Sequence, residues 1–340
     1  MRYFKSSFMV TAFGLVLALL IGGLEALYIV ILLALLEVSL SFDNAVVNAK
    51  ILEDMDKKWQ DRFITFGMPI AVFGMRFFFP ILIVSIASGL SVMDTLFLAI
   101  DFPDAYEIVL SSVEKLIYAF GGAFLLMVFL NFIFEHDREE MWIKIIEGSK
   151  TLKKMGKLSS IEMIISLFVG IALIFLTKEY DIALAYFSGI LLYALISSLD
   201  EIFSLNGVRN GLMGLLYLEI LDASFSFDGV IGAFALSNNI FVIMIGLGVG
   251  AMFVRSLTLY MLEKKTLSEY RYLEHGAHYA ILMLAIIMLI EIFVHIDEIV
   301  VGTIGVAFIA LSTYHSILEN RVQKVENSTL DFSYRTKRKE

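Results

Sequence analysis

Apolar residues run in long blocks along this chain, separated by short polar connections, and do not follow the two-residue alternation of a half-buried strand. Blocks of roughly 17 to 25 such residues have the length an α-helix needs to cross about 30 Å of hydrocarbon with its backbone bonded internally. Ten are legible, at 9–24, 26–50, 63–89, 113–134, 161–177, 183–204, 211–236, 240–262, 276–295 and 298–317. The pattern predicts an all-α, polytopic membrane protein of about ten transmembrane helices. The first and fifth blocks are short for a full crossing. Residues 8–20, preceded by Arg2 and Lys5, share features with a secretory signal. That run passes through Ile21-Gly22-Gly23-Leu24 straight into further apolar sequence without a clear cleavage site, so retention as the first span is the simpler expectation.

Charge agrees with this division. With the N-terminus cytoplasmic, 22 of the 26 Lys and Arg fall in segments on the inner side, whereas the outer segments hold only Lys115 and Lys178. Arg76 and Arg255 lie within spans. This is the bias of the positive-inside rule, and it predicts a multi-pass protein of the bacterial inner membrane with both termini cytoplasmic. The loop 91–112, with Asp94, Asp101, Asp104 and Glu107, then lies outside and reads as a solvated acidic connection.

Two stretches repeat. The second block contains Glu37-Val-Ser39-Leu-Ser41-Phe42-Asp43-Asn44 and the seventh Asp222-Ala-Ser224-Phe-Ser226-Phe227-Asp228-Gly229. Acid, Ser, Ser, Phe and Asp coincide, and Asp43 and Asp228 stand 185 residues apart. Arg76 and Arg255 echo each other in blocks three and eight, as do Gly122-Ala123 and Gly276-Ala277 in blocks four and nine. Each pair is five spans apart, an odd number, so the copies are inverted: residues 1–180 form one repeat of five spans, 181–320 the second, and 321–340 a basic cytoplasmic tail. Inverted repeats that meet at mid-membrane are a recurrent architecture of secondary transporters, with the substrate at the repeat interface.

The repeated acids carry the chemistry. A carboxylate inside a span costs about 2.5 to 3.5 kcal/mol on insertion scales and persists where a partner or a wet cavity receives it. Glu37, Ser41, Asn44 and Asn48 fall at i, i+4, i+7 and i+11, one stripe on a regular helix, whereas Asp43 points about 120° away. Either two faces are lined or the helix unwinds; local unwinding or bending through Ser-x-Ser-Phe is favoured, since serine hydroxyls compete for backbone groups and would let all four acids converge. The candidate ligands are Glu37, Ser41, Asp43, Asn44, Asp222, Ser226 and Asp228, an oxygen-rich set suited to a hard divalent ion. Absent cysteine agrees. Arg76 and Arg255 either neutralise the site or snorkel to an interface. Glu219 is a weaker candidate, having no acid opposite it in the first repeat, where Ala34 stands. His275, His278 and His295, with Glu274, Glu291, Asp297 and Glu298, border the ninth block and read first as interfacial residues. Asp200 and Glu201 read as a cytoplasmic turn.

Composition closes off other classes. The chain has 340 residues, 59% hydrophobic, with net charge −9 and mean hydropathy +0.82, which points to lipid as its solvent. Without cysteine there is neither a disulfide nor a thiolate site. No GxxxxGK[ST] loop occurs, so ATP is not the expected energy source, and an intramembrane aspartyl hydrolase would leave Glu37 and Asp222 without a role. An enzyme is not expected, and no nucleic-acid partner is.

At Glu37-x-x-Leu40-Ser41-x-Asp43-Asn44 and Asp222-x-x-Phe225-Ser226-x-Asp228 the chain resembles the TerC family of integral membrane proteins, grouped with LysE-type exporters, and its larger bacterial subgroup most closely. Gly229 departs from the Ser that often follows the second Asp. The resemblance implies Mn²⁺ efflux, with tellurite or other stress phenotypes among relatives. The resulting expectation is a secondary exporter of a divalent metal ion, Mn²⁺ first, with Ca²⁺ or Mg²⁺ as options, coupled to H⁺ or Na⁺. The alternative is a metal-binding membrane scaffold or stress sensor of the tellurite-resistance type that moves no ion.

Overall fold

The computed structural model describes residues 3–337 except 54, 136–139, 159, 204–210, 212, 213, 221, 223–232, 234, 235, 238 and 297. Among the described residues every regular element is helical. Six helices are long and apolar enough to cross a membrane: Lys5–Leu40, Pro103–Phe134, Tyr180–Ser198, Ile240–Lys264, Leu273–Glu291 and Val300–Arg321. This is a polytopic membrane protein.

The first of these, α1 (Lys5–Leu40), has 36 residues, about 54 Å of rise and far more than one crossing requires. It turns back on itself at Gly22 (φ −139°, ψ 19°) and Gly23 (φ 66°, ψ −149°), the latter in backbone territory that is essentially glycine's alone. Contacts with the helix Ile240–Lys264, here α11, give the direction of each arm. In residues 5–21, Ser7 Oγ donates to Met252 O at 2.8 Å and lies 2.6 Å from Ser256 Oγ, while Gly14 faces Val249 and Ile245. Partner numbers fall as this arm advances, so it is antiparallel to α11. In residues 24–40, Leu33 packs on Gly246 and Glu37 on Gly250, so the second arm runs parallel to α11. The blocks predicted at 9–24 and 26–50 are therefore two opposed helices, the second continuing past a one-residue break at Ser41 into α2 (Phe42–Glu53).

The third block is built from pieces: α3 (Lys57–Pro69), a π-helical stretch Ile70–Phe78 and α4 (Phe79–Ser88). At Gly89 (φ 75°) the chain bends into α5 (Val92–Asp101), so that Arg76–Ser88 and Val92–Asp101 make an angle of 117°. The acidic segment 91–112, expected as a loop, is instead α5 and the opening turns of α6 (Pro103–Phe134). Its helices have local causes: Ser91 Oγ accepts the Asp94 N–H at 3.1 Å as an N-cap, and Pro103 presets the first turn of α6.

After two short helices, α7 (Lys144–Glu147) and α8 (Lys150–Met155), come α9 (Ile161–Thr177) and α10 (Tyr180–Phe203). Beyond α11 lie α12 (Thr266–Glu269), α13 (Leu273–Glu291) and α14 (Glu298–Lys337). Helix α6 is the hub of the core, between α10 and α13. Gly189 of α10 abuts Phe120 O and the Phe124 and Tyr193 rings meet at 5.8 Å, so α6 and α10 are parallel. Phe129 meets Tyr279 at 5.6 Å whereas Gly122 meets Ala285 O and Leu289, so α6 and α13 are antiparallel. Helices α13 and α14 are also antiparallel, with Gly276 on Ser312 and the Tyr272 N–H donating to Ser316 Oγ at 3.0 Å. The seventh block lies mostly outside the described residues; 214–220 and 222 are helical.

Candidate functional site

Glu37 opens the last turn of the second arm of α1, and its carbonyl accepts the Ser41 N–H at 2.9 Å. Ser41 leaves the helix with φ −102° and ψ 17°, and its hydroxyl donates to Glu37 Oε1 at 2.6 Å. The break is one residue wide, narrower than the expected unwinding, because the Ala45 N–H still reaches Ser41 O at 3.2 Å. Near-regular geometry therefore persists from Glu37 to Asn48, and the two polar faces remain distinct.

One face builds a charged centre. Arg76, on the π-helical stretch, donates through Nη2 to Glu37 Oε1, and its Nη1 lies 3.8 Å from Asp222 Oδ2. Asn44 Nδ2 donates to Asp222 Oδ1 at 2.5 Å. Glu37 and Arg76 are 1% and 2% exposed, and Arg255 is buried as well. The choice between snorkelling and neutralising is thus resolved for Arg76. Arg255 extends the centre: its Nη2 donates to Phe63 O at 2.6 Å and lies 3.9 Å from Glu219 Oε1, with the guanidinium 3.9 Å above the Phe63 ring. A cavity of about 20 Å³, lined in part by Asn48, Arg76, Glu219, Asp222, Arg255 and Thr258, lies between these groups. That space suits one water-sized occupant. Asn44 Oδ1 and Asn48 Oδ1 are buried with no hydrogen-bond partner among the described residues.

Asp43 faces elsewhere. Its Oδ1 accepts the Asn44 N–H at 2.9 Å at the start of α2, and it borders a second cavity of about 20 Å³ with Leu40, Ala280, Leu284, Ile287 and Gly302. Of the predicted ligands, Glu37, Ser41, Asn44 and Asp222 come together, whereas Asp43 does not join them. Ser226 and Asp228 lie outside the described residues. Among the described residues no three Asp, Glu or His side chains gather as a metal ion's ligands. Glu219, set aside in the sequence for want of a counterpart, is the partner of Arg255. Gly250 escaped sequence reasoning altogether; its only trace there is the small-residue run Gly246-Leu-Gly248-Val-Gly250.

A second polar cluster joins the 141–156 connection to α13. His275, buried and not interfacial as expected, has Nδ1 3.0 Å from Glu147 Oε2. His278 stacks on Phe132 with centroids 3.6 Å apart, and His295 is exposed. Burial pushes the Glu147 carboxyl up, but His275 and the backbone N–H groups of Ile143 and Trp142 outweigh it, so its pKa lies below the usual 4.5. A depressed carboxylate contributes stability above its unfolded pKa and loses it as pH falls through the folded one. The clasp should hold at neutral pH and loosen below about pH 4.5. Glu147→Gln should cost about 1.5 to 3 kcal/mol locally. Amide exchange over 141–148 should then quicken at least about tenfold. Unchanged exchange would exclude the clasp.

A family profile described as "Protein of unknown function (DUF475)" matches residues 42–323. The chain belongs to the DUF475 family. The match takes in Asp43, Asn44, Arg76, Glu219, Asp222 and Arg255, and begins just after Glu37 and Ser41. No curated protein and no solved structure matches.

Proposed function

We propose that this DUF475 protein is a secondary transporter that exports a hard divalent metal ion, Mn²⁺ first, by alternating access between two inverted repeats of five spans. The observation that carries the reading is that Glu37 and Asp222, matching positions of the two motif copies, share the buried guanidinium of Arg76. Helix directions support the ten-span scheme. The arm 5–21 is antiparallel and the arm 24–40 parallel to α11, as first and second spans must be to an eighth, and α6 opposes α13 as a fourth span opposes a ninth. The TerC resemblance of the paired motifs points the same way, and the positive-inside bias puts both termini in the cytoplasm.

The donors fit such a cargo. Carboxylates of Glu37 and Asp222, with the free Oδ1 atoms of Asn44 and Asn48, are hard oxygen ligands beside a cavity of about 20 Å³. Arg76 holds the place of the ion. Three carboxylates, Glu37, Glu219 and Asp222, face two guanidiniums, so the closed centre carries one negative charge in excess when all are ionised. For a divalent ion to bind, Arg76 must release Glu37 and Asp222 and turn toward Glu219 across the cavity. That exchange of one cation for another is a two-state element that could be coupled to H⁺ or Na⁺. Asp43 and, on the sequence pattern, Asp228 would join as ligands in another state of the cycle.

A scaffold or stress sensor is the second reading, favoured by the ion pairs that Arg76 and Arg255 already make with these acids. Binding tests the shared element of both. Purified protein should bind Mn²⁺ in titration calorimetry, and Glu37→Gln or Asp222→Asn should weaken it at least about tenfold. Unaltered affinity in both variants would remove this centre as the metal site.

A further inference from the structure

The connection between α6 and α9 carries a charge pattern that the transport reading does not use. Lys150, Lys153 and Lys154 lie on α8, and Lys157 follows one turn later, the turn being continued by the Lys157 N–H to Lys154 O at 3.3 Å. The spacing i, i+3, i+4, i+7 places all four on one helical face. Like charges four residues apart repel, and among the described residues none of these lysines has an ion pair. The opposite face is anchored, since Leu152 packs against the main core. Lys153 and Lys157 also line a cavity of about 270 Å³. Three acids share that lining: Glu140, which pairs with Arg271 at 3.3 Å, Glu147, which lies against His275, and Glu135. Ile145 and Leu158, 90% and 56% exposed, flank the stripe in sequence, and α9 starts at Ile161.

Unanswered lysines on one face, beside bare apolar side chains and a span end, make a surface for the bilayer itself. We infer that the 144–158 connection rests on the membrane and that its lysine stripe holds the phosphates of anionic phospholipids. Juxtamembrane lysine clusters gain attraction from anionic lipid, and Ile145 and Leu158 supply the apolar contact that a free phosphate would not need. The proposal is independent of what the protein transports.

The test uses the full chain in detergent with equal amounts of phosphatidylglycerol and phosphatidylcholine, read by native mass spectrometry. The wild type should retain phosphatidylglycerol at least about tenfold over phosphatidylcholine, a margin that two lysines acting on one lipid already supply at about fivefold each. Lys150→Gln/Lys153→Gln/Lys154→Gln/Lys157→Gln should lose the preference, and the fourfold arginine variant should keep it. Equal retention of both lipids by the wild type, or an undiminished preference in the glutamine variant, overturns the inference. Ile145→Trp in nanodiscs gives a second readout: its emission should shift to the blue with phosphatidylglycerol, and a water-like spectrum there overturns it too.

Discussion

An Arg76→Gln variant is expected to lose about 3 to 5 kcal/mol of stability and to melt well below the parent protein in detergent. Glu37 is 1% exposed, and its bonds come from Arg76 and Ser41, so removing the guanidinium strands a buried carboxylate. Most of that loss is the desolvation of the abandoned charge and not the worth of the pair. The double variant Glu37→Gln/Arg76→Gln should therefore recover much of the melting temperature. If Arg76 stands where the cargo binds, Mn²⁺ should raise the melting temperature of the single variant more than that of the wild type, since a ligand of the folded state stabilises it by mass action. Scanning fluorimetry with and without Mn²⁺ reads both effects; a single variant that melts with the parent would mean that Glu37 is not dependent on Arg76.

Gly250→Val should have the second largest effect. A Cβ at Gly250 would come within 2.4 Å of Glu37 Cβ, 2.6 Å of its Cγ and 2.9 Å of Ala34 O, and the last of these is backbone that cannot rotate away. Overpacking of this kind costs about 1 to 3 kcal/mol. It must also push the arm 24–40 off α11, moving Glu37 away from Arg76 and Asp222. Metal binding should fall with stability. Gly305→Ala is the control, because a Cβ there meets nothing within 4 Å. Calorimetric binding and melting of the two variants compare them; equal behaviour would show that the close approach at Gly250 is not needed.

Six helices long and apolar enough to cross a membrane were legible because lipid forces backbone satisfaction within each helix, so that hydrophobic length is a strong signal. Even the reversal in α1 was marked, by Gly22-Gly23 between two apolar runs. The stripe Glu37, Ser41, Asn44, Asn48 is buried as its spacing implies, and Asp43 lies off it by the same arithmetic. The expected unwinding or bending is present but confined to Ser41, too narrow to bring Asp43 round to Glu37. Residues 91–112 were read as a loop because their acids outweighed the caps at Ser91 and Pro103, which are the stronger local signal. Gly250 against Glu37 and His275 against Glu147 depend on register between helices far apart in the chain, and no local pattern encodes that.

Metal flux into sealed vesicles tests the central claim most directly. Proteoliposomes holding the wild-type protein should accumulate Mn²⁺ when an ion gradient is imposed, and Glu37→Gln and Asp222→Asn should abolish that movement while the proteins remain folded. Binding of Mn²⁺ at Glu37 and Asp222 with no flux under any imposed H⁺ or Na⁺ gradient would contradict transport and leave a metal-binding scaffold in its place.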